Sequence, residues 1–163
     1  MIIVNSTPLI NFSAIQRLDI LKQLFKKIYI PSAVQKELLI DGNAYPNAEV
    51  IRNADFIVVK PIETKDKRLV DTLKMNLDEG ESEVIALALE RNANLIILDE
   101  IAGRNIAESY SIPLTGSIGC LMEAKNRGII SKIKPLLDRM QTEAGFWIHP
   151  KLYSRVLKDN DEF

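Results

Sequence analysis

One cysteine, Cys120, and one histidine, His149, stand in a chain of 163 residues. An intrachain disulfide is therefore impossible, which suits a reducing cytoplasm. A histidine-based triad or a His-rich zinc site is excluded in practice as well. Excess positive charge is also missing: 21 Lys and Arg stand against 22 Asp and Glu, a net charge of -1. A protein that neutralises many phosphates usually carries a surplus of Lys and Arg, so any polyanion site here must come from local clustering or from a bound metal. No apolar run approaches the roughly 18 residues that a membrane span needs. Met1 to Val4 is apolar, but Asn5 follows at once and no basic segment precedes it, so no secretory signal is expected. There is no P-loop and no GxGxxG; Gly116 to Gly119 is too short and carries no lysine, which argues against a nucleotide-binding enzyme. Repeats and low-complexity stretches are absent.

What is present is an ordinary globular balance, 47% hydrophobic and 26% charged, in a length that suits one domain with its own core. A single domain over residues 1–158 is expected, with a polar tail over 159–163. Short β-branched runs that do not alternate with polar residues read as buried strands: Ile2 to Val4, Lys27 to Ile30, Phe56 to Val59, Leu95 to Leu98 and Ile112 to Leu114. Helical spacing fills the intervals. Leu9 to Phe25 breaks near Arg17-Leu18-Asp19, and Pro31-Ser32 opens a helix through Leu39, with a stop at Asp41-Gly42-Asn43. Pro46 to Asn53, Lys65 to Met75, Gly80 to Arg91, Gly103 to Tyr110, Ser117 to Asn126, Ser131 to Thr142 and Pro150 to Leu157 follow. Strands alternating with helices predict a three-layer α/β/α architecture around a mostly parallel sheet of four to five short strands.

In open parallel sheets, ligands bind beyond the carboxyl ends of the strands. Two strands end in a short polar residue there, Val4 into Asn5 and Leu98 into Asp99. Either could equally be a turn or cap residue. The helix from Gly80 adds a sharper signal. At about 100° per residue, Glu79, Glu83 and Glu90 share one side, facing water, while Glu81 lies with Val84, Ile85 and Ala88. A carboxylate on an apolar face needs a partner, a metal or the end of a cleft; the bland alternative is favourable charge at a helix N-terminus. Glu37 repeats the pattern among Ala33, Val34 and Ile40. There the alternative is a salt-bridged or snorkelling residue at a helix edge. Asn5, Glu37, Glu81 and Asp99 thus form a candidate constellation. Clustered carboxylates repel unless protonated or metal-bound, and oxygen-only ligands suit Mg²⁺ or Mn²⁺ rather than zinc. Such a site can support phosphodiester hydrolysis.

The segments IIVNSTPLINFSAIQRLDILKQLF, IYIPSAVQKELL, LDEGESEVIALALERNANLIILDEIAGRNIAES, IPLTGSIGCLMEAKNRGII and GFWIHPKLYSRVL cover nearly the whole chain. In order and spacing they resemble the PIN-domain superfamily, and more closely a prokaryotic PIN-like family near the VapC-type toxins. The resemblance implies a parallel sheet between helices and an acidic site for Mg²⁺ or Mn²⁺, with Asn5, Glu37, Glu81 and Asp99 in the four acidic positions. Asn5, Glu81 and Asp99 are the implied metal ligands, and Ser6 or Thr7 would assist beside Asn5. Glu100 is a neighbouring spare carboxylate. The implied activity is an endoribonuclease of toxin–antitoxin type, with RNA as substrate, a small antitoxin as partner, and a cytoplasmic homodimer as its form. The first acidic position departs from the pattern, because Asn5 carries no charge. The other reading is therefore an inactive PIN-fold module that binds RNA or protein. Restoring Asp at position 5 separates the two.

The remaining residues read more plainly. Cys120 is expected to be a buried structural thiol, and His149 to pack or cap near the last helix. Phe146 and Trp147 are expected in the core. Lys65, Lys67 and Arg68, and Lys125, Arg127, Lys132, Lys134 and Arg139, read as solvated faces unless they flank the acidic cleft. Arg104, shortly after Asp99, is placed to pair with an acid or to touch a phosphate.

Overall fold

Parallel strands buried on both faces favour uninterrupted Val and Ile, and every short run of this kind becomes a strand. The computed structural model describes residues 1–40, 45–63 and 67–162. Its strands are Ile2–Val4 (β1), Ile28–Ile30 (β2), Ile57–Val59 (β3), Leu95–Ile97 (β4) and Leu114–Thr115 (β5). They form one sheet in the order β3-β2-β1-β4-β5, parallel throughout. The helices are Ser6–Ala14 (α1), Asp19–Phe25 (α2), Ser32–Gln35 (α3), Ala48–Arg52 (α4), Lys67–Leu73 (α5), Glu79–Arg91 (α6), Ile101–Ser109 (α7), Ser117–Asn126 (α8), Lys134–Glu143 (α9) and Pro150–Asp159 (α10). They cover the sheet in the expected three-layer α/β/α arrangement. α6 packs on β1 and β4 between α3, α5 and α7, while α1 packs with α4, α8 and α9.

The core follows the aliphatic pattern. Ile3, Leu9, Phe12, Ile85, Leu87 and Ile96 are among the side chains fully withdrawn from solvent. Cys120 is buried with them, and burial pushes its thiol pKa up to about 12, so it is an inert packing group, as expected. His149 caps α10, its Nδ1 accepting from the Lys151 N–H at 3.1 Å. Among the described residues no helix is long and apolar enough to cross a membrane.

Several expectations shift. The helix from Ser32 does not run straight to Leu39 but passes into a π-helical turn at Lys36–Ile40. Gln16, with φ of +56°, separates α1 from α2. β5 begins at Leu114, beyond Pro113, which has no N–H for the ladder and whose carbonyl accepts from Ile96 at 2.9 Å. α9 begins at Lys134 rather than Ser131, with Pro135 in its first turn. Trp147 is 74% exposed rather than in the core, while Phe146 packs against the core from its edge. Lys65 and the stop at Asp41-Gly42-Asn43 lie outside the described residues.

Beyond α10, Glu162 folds back and is buried. Its carboxylate accepts from the backbone N–H groups of Ile133 (2.8 Å) and Lys134 (2.9 Å) and from Lys125 Nζ (2.9 Å). This caps α9 from a distant part of the chain. Burial alone would raise the Glu162 pKa, but the Ile133 and Lys134 donors, with Lys125, outweigh it and hold it below the ordinary value. A lowered carboxylate pKa stabilises the fold above the unfolded value and loses that effect as pH falls through the folded one. Glu162→Gln should cost about 1.5–3 kcal/mol at neutral pH, the usual worth of hydrogen bonds to a charged group. In urea titrations the gap to the unsubstituted protein should close in acid; a gap that persists there would show that the charge is not what matters.

Candidate active site

The sheet order sets the location. The chain runs from β1 outward through β2 and β3, then crosses back to place β4 on the other side of β1. β1 and β4 therefore flank the point where the winding reverses, and their carboxyl ends open a crevice there. Ile2, Ile3 and Val4 pair with Leu95, Ile96 and Ile97, and the Asn5 N–H extends the ladder to the Ile97 carbonyl at 3.0 Å. Asn5 is thus locked beside the end of β4.

Asn5 is 2% exposed, and although it stands at the N-cap position of α1 its side chain makes no capping hydrogen bond. Its Nδ2 donates to Glu100 Oε2 at 3.3 Å. A carboxylate selects that amide orientation, because an amide oxygen facing it would be repelled. Thr7 Oγ1 holds the other Glu100 oxygen. Asn5 Oδ1 then faces away from Glu100, buried and without a hydrogen-bond partner. Buried polar atoms are nearly always satisfied, so an orphan of this kind calls for a ligand.

That oxygen points toward the start of α6. A Cβ on Gly80 would lie 3.4 Å from Asn5 Oδ1 and 3.2 Å from Glu37 Oε2, so the absence of a side chain at Gly80 leaves the space where these two oxygens converge. Glu37 reaches it from the π-helical turn after α3 and is exposed, a correction to the inward position expected from a regular helix. It lines a groove of about 240 Å³ with Lys36, Asp78, Glu79 and Gly80.

Glu81 is buried on the inner face of α6, as the spacing predicts. It shares in closing the helix start: Asp78 accepts from the Glu81 N–H at 2.8 Å, and the Asp78 backbone hydrogen-bonds the Glu81 carboxylate in return. Burial first, then the charges of Asp78, Glu100 and Glu37, push the Glu81 pKa from 4.5 up to about 7, against the smaller pull of the hydrogen bond from the Asp78 backbone. The other acids of α6 do not simply face water. Glu83 accepts from the Ala33 N–H at 2.8 Å, tying down the start of α3, and Glu90 accepts from the Glu63 N–H at 3.1 Å.

Asp99 sits beyond β4 in a tighter setting. Oδ1 accepts from the Ser117 N–H at 2.7 Å; Oδ2 accepts from Ser117 Oγ at 2.6 Å and from Asn11 Nδ2 at 3.3 Å. Asp99 therefore caps the first residue of α8 from the neighbouring strand. Burial raises its pKa, opposed by the Ser117 donors; Glu100 raises it further and Arg104 lowers it. Arg104 Nη1 donates to the Leu98 carbonyl at 2.8 Å, so it braces the strand end beside Asp99.

The four expected positions are accordingly not equivalent. Asn5 and Glu37 meet at Gly80, Glu81 feels Glu37 and Glu100, and Asp99 feels Glu100 from its own clamp. Glu100, expected to be spare, is the carboxylate common to both parts of the site. Asn11 and Ser117 were missed; their only sequence signal is a small polar residue inside an otherwise apolar helical stretch. Among the described residues no three His, Cys, Asp or Glu side chains converge on a metal by themselves, so an oxygen set there has to include the Asn5 amide. The set present fits a hard divalent cation: it is all oxygen, it includes an unsatisfied buried acceptor, and its carboxylates repel one another.

Ser117→Ala should leave the buried Asp99 carboxylate short of a donor and cost about 1–3 kcal/mol. Thermal unfolding measures the loss; an unchanged midpoint would mean that the clamp adds nothing to stability.

Comparison with known proteins agrees with this geometry. No curated protein was found to match the chain. A family model described as a PIN domain, a nuclease-type fold whose members generally use divalent metal ions, matches residues 1–162, and the chain belongs to the PIN-domain family.

Proposed function

We propose that this protein is a Mg²⁺- or Mn²⁺-dependent endoribonuclease of toxin–antitoxin type, cleaving RNA phosphodiester bonds at the crevice between β1 and β4. The observation that carries the reading is the orphaned Asn5 Oδ1, converging with Glu37 at Gly80 beside a Glu81 that burial and like charges hold near neutrality. Asn5, Glu37 and Glu81 would hold the cation. Glu100 and Asp99 would complete the oxygen set. A cation there supplies neutralisation of the carboxylates and stabilisation of charge on the phosphate oxygens. The chain's own residues do the rest. Thr7 and Glu100 fix the Asn5 amide, Ser117 and Asn11 fix Asp99, and Arg104 offers a guanidinium to a phosphate beside Asp99. Glu81, with a pKa near 7, is able to hold or release a proton at working pH. A small antitoxin covering the cleft, a homodimeric assembly and a cytoplasmic setting belong to the same reading.

The test is cleavage of a labelled structured RNA with Mn²⁺ or Mg²⁺ and with EDTA. Cleavage should require the metal and fall by about 10²–10³-fold in Glu81→Gln, the scale seen when one charge-stabilising group is removed. Asp99→Asn should fall as well, by way of the disturbed clamp. Metal-independent cleavage, or cleavage indifferent to both substitutions, would sink the proposal. A second reading rests on the neutral Asn5, which removes one charge from the site: a PIN-fold module that binds RNA or protein without cutting. Asn5→Asp separates them. A large gain in metal-dependent cleavage favours a charge-limited nuclease, and no gain favours the binding module.

The raised Glu81 pKa has a further expected outcome. Glu81 must lose its proton to accept a cation, so Mn²⁺ affinity should fall as pH drops through about 7. The metal-free protein should also lose stability, relative to Glu81→Gln, as pH rises from 4.5 toward about 7, because the raised pKa disfavours the charged form in the fold. Calorimetric titration and thermal melts across that range test both; a flat profile in each would remove Glu81 from the site.

A further inference from the structure

A cleft of about 500 Å³ opens next to Asp99 and Arg104. That volume lies within the roughly 300–1,000 Å³ typical of small-ligand sites. Its floor is aliphatic, built by Ile118, Met122, Leu152 and Val156. Its mouth carries two large apolar side chains left in water, Ile101 at 76% and Trp147 at 74% exposure. The Trp147 ring is not adrift: it meets His149, the cap of α10, in a T-shaped contact with centroids 5.8 Å apart. An indole held in place at the lip of an apolar slot, with most of its surface uncovered, is a stacking platform without a visible partner.

Charge around the cleft points to the partner. The basic residues of α8 and α9 are neutralised locally: Lys125 by Glu162, Arg127 by Glu123, Lys134 by Asp138 and Arg139 by Glu143. On α10, Lys151, Arg155 and Lys158 follow at i, i+4 and i+7, so they share one exposed side, and none forms an ion pair among the described residues. Arg155 and Arg104 line the cleft itself, as do the acidic Asp99 and Asp159. An apolar slot with an aromatic lip and unpaired cations alongside matches a ligand that carries a flat ring and an anionic backbone together.

We propose that this cleft is a nucleobase pocket for single-stranded RNA, in which a base stacks on Trp147 over the aliphatic floor while Arg155 and the basic side of α10 hold the neighbouring phosphates. The proposal rests on the reading of the acidic site as RNA-cleaving, since the cleft leads the strand to Asp99. It makes Trp147 and Arg155 substrate-binding residues and assigns preference for unpaired nucleotides to this end of the molecule.

Trp147 is the only tryptophan in the chain, so its fluorescence reports on the pocket alone. The full chain is titrated in EDTA with an end-labelled single-stranded oligoribonucleotide of about eight nucleotides, within the range one such site covers. Indole emission and label anisotropy are read together. Saturable quenching should track binding. Trp147→Ala should weaken anisotropy-detected binding by about 5–150-fold, the range for loss of one stacked base, and Trp147→Phe should retain most of it. Arg155→Ala should lower the slope of log affinity against log salt by about one. RNA binding without quenching, unaltered by Trp147→Ala, would overturn the pocket even if Glu81-dependent cleavage is intact. Quenching with no cleavage in Mn²⁺ would support the pocket and count against the nuclease. Quenching by an amphipathic peptide but not by RNA would overturn the proposal in favour of a protein partner.

Discussion

The parallel pairing of β1 with β4 is the constraint on which everything else at this site depends. Residues near the amino end of the chain are hydrogen-bonded in register to residues more than ninety positions later, with Ile2 against Leu95 and the Asn5 N–H on Ile97. Without that ladder, Asn5 and the Asp99–Glu100 pair would be unrelated loop residues. With it they stand side by side at the open end of the sheet, and α6, packed on both strands, delivers Glu81 to the same place. The energy that holds the acids together against their mutual repulsion is the burial of Ile3, Ile85, Leu87 and Ile96 beneath them.

Acidic side chains do two kinds of work here, and the difference is in their neighbours rather than their identity. Asp78, Glu83, Glu90, Asp99 and Glu162 each accept from a backbone N–H, closing helix starts and loop segments that would otherwise leave donors unmet. Glu37, Glu81 and Glu100 gather around Asn5 and Gly80, where Glu81 is also held by the Asp78 backbone. A near-neutral chain can therefore carry a locally negative site, because its acids are spread unevenly and several of its bases are matched to acids elsewhere.

The fold was legible because strand and helix periods are local properties. Every expected strand formed, and the errors lie where a local rule met a tertiary one: Pro113 at a strand start, a π-helical turn inside an apparently regular helix, Trp147 left in water. The site was legible in part. The period of α6 identified Glu81 as buried, since an inward face is a matter of angle. Glu37 was placed on the wrong side because the extra residue of a π turn rotates everything after it. The clamp of Asn11 and Ser117 on Asp99, and the role of Glu100 beside Asn5, depend on which strands are neighbours, which composition and spacing do not encode.

The dispersal of the site along the chain bears on the order in which the molecule is made. Its contributors come from β1, the turn after α3, the start of α6, the end of β4 and the start of α8. Contacts of such long sequence separation close late in folding. A partly synthesised chain can form β1, β2 and β3 with their helices, but it lacks Asp99, Glu100 and the Ser117 clamp, and the central strand still has an open edge. If the protein cuts RNA, the messenger and ribosome producing it are protected during synthesis by topology alone, because the cutting site does not exist until β4 has docked.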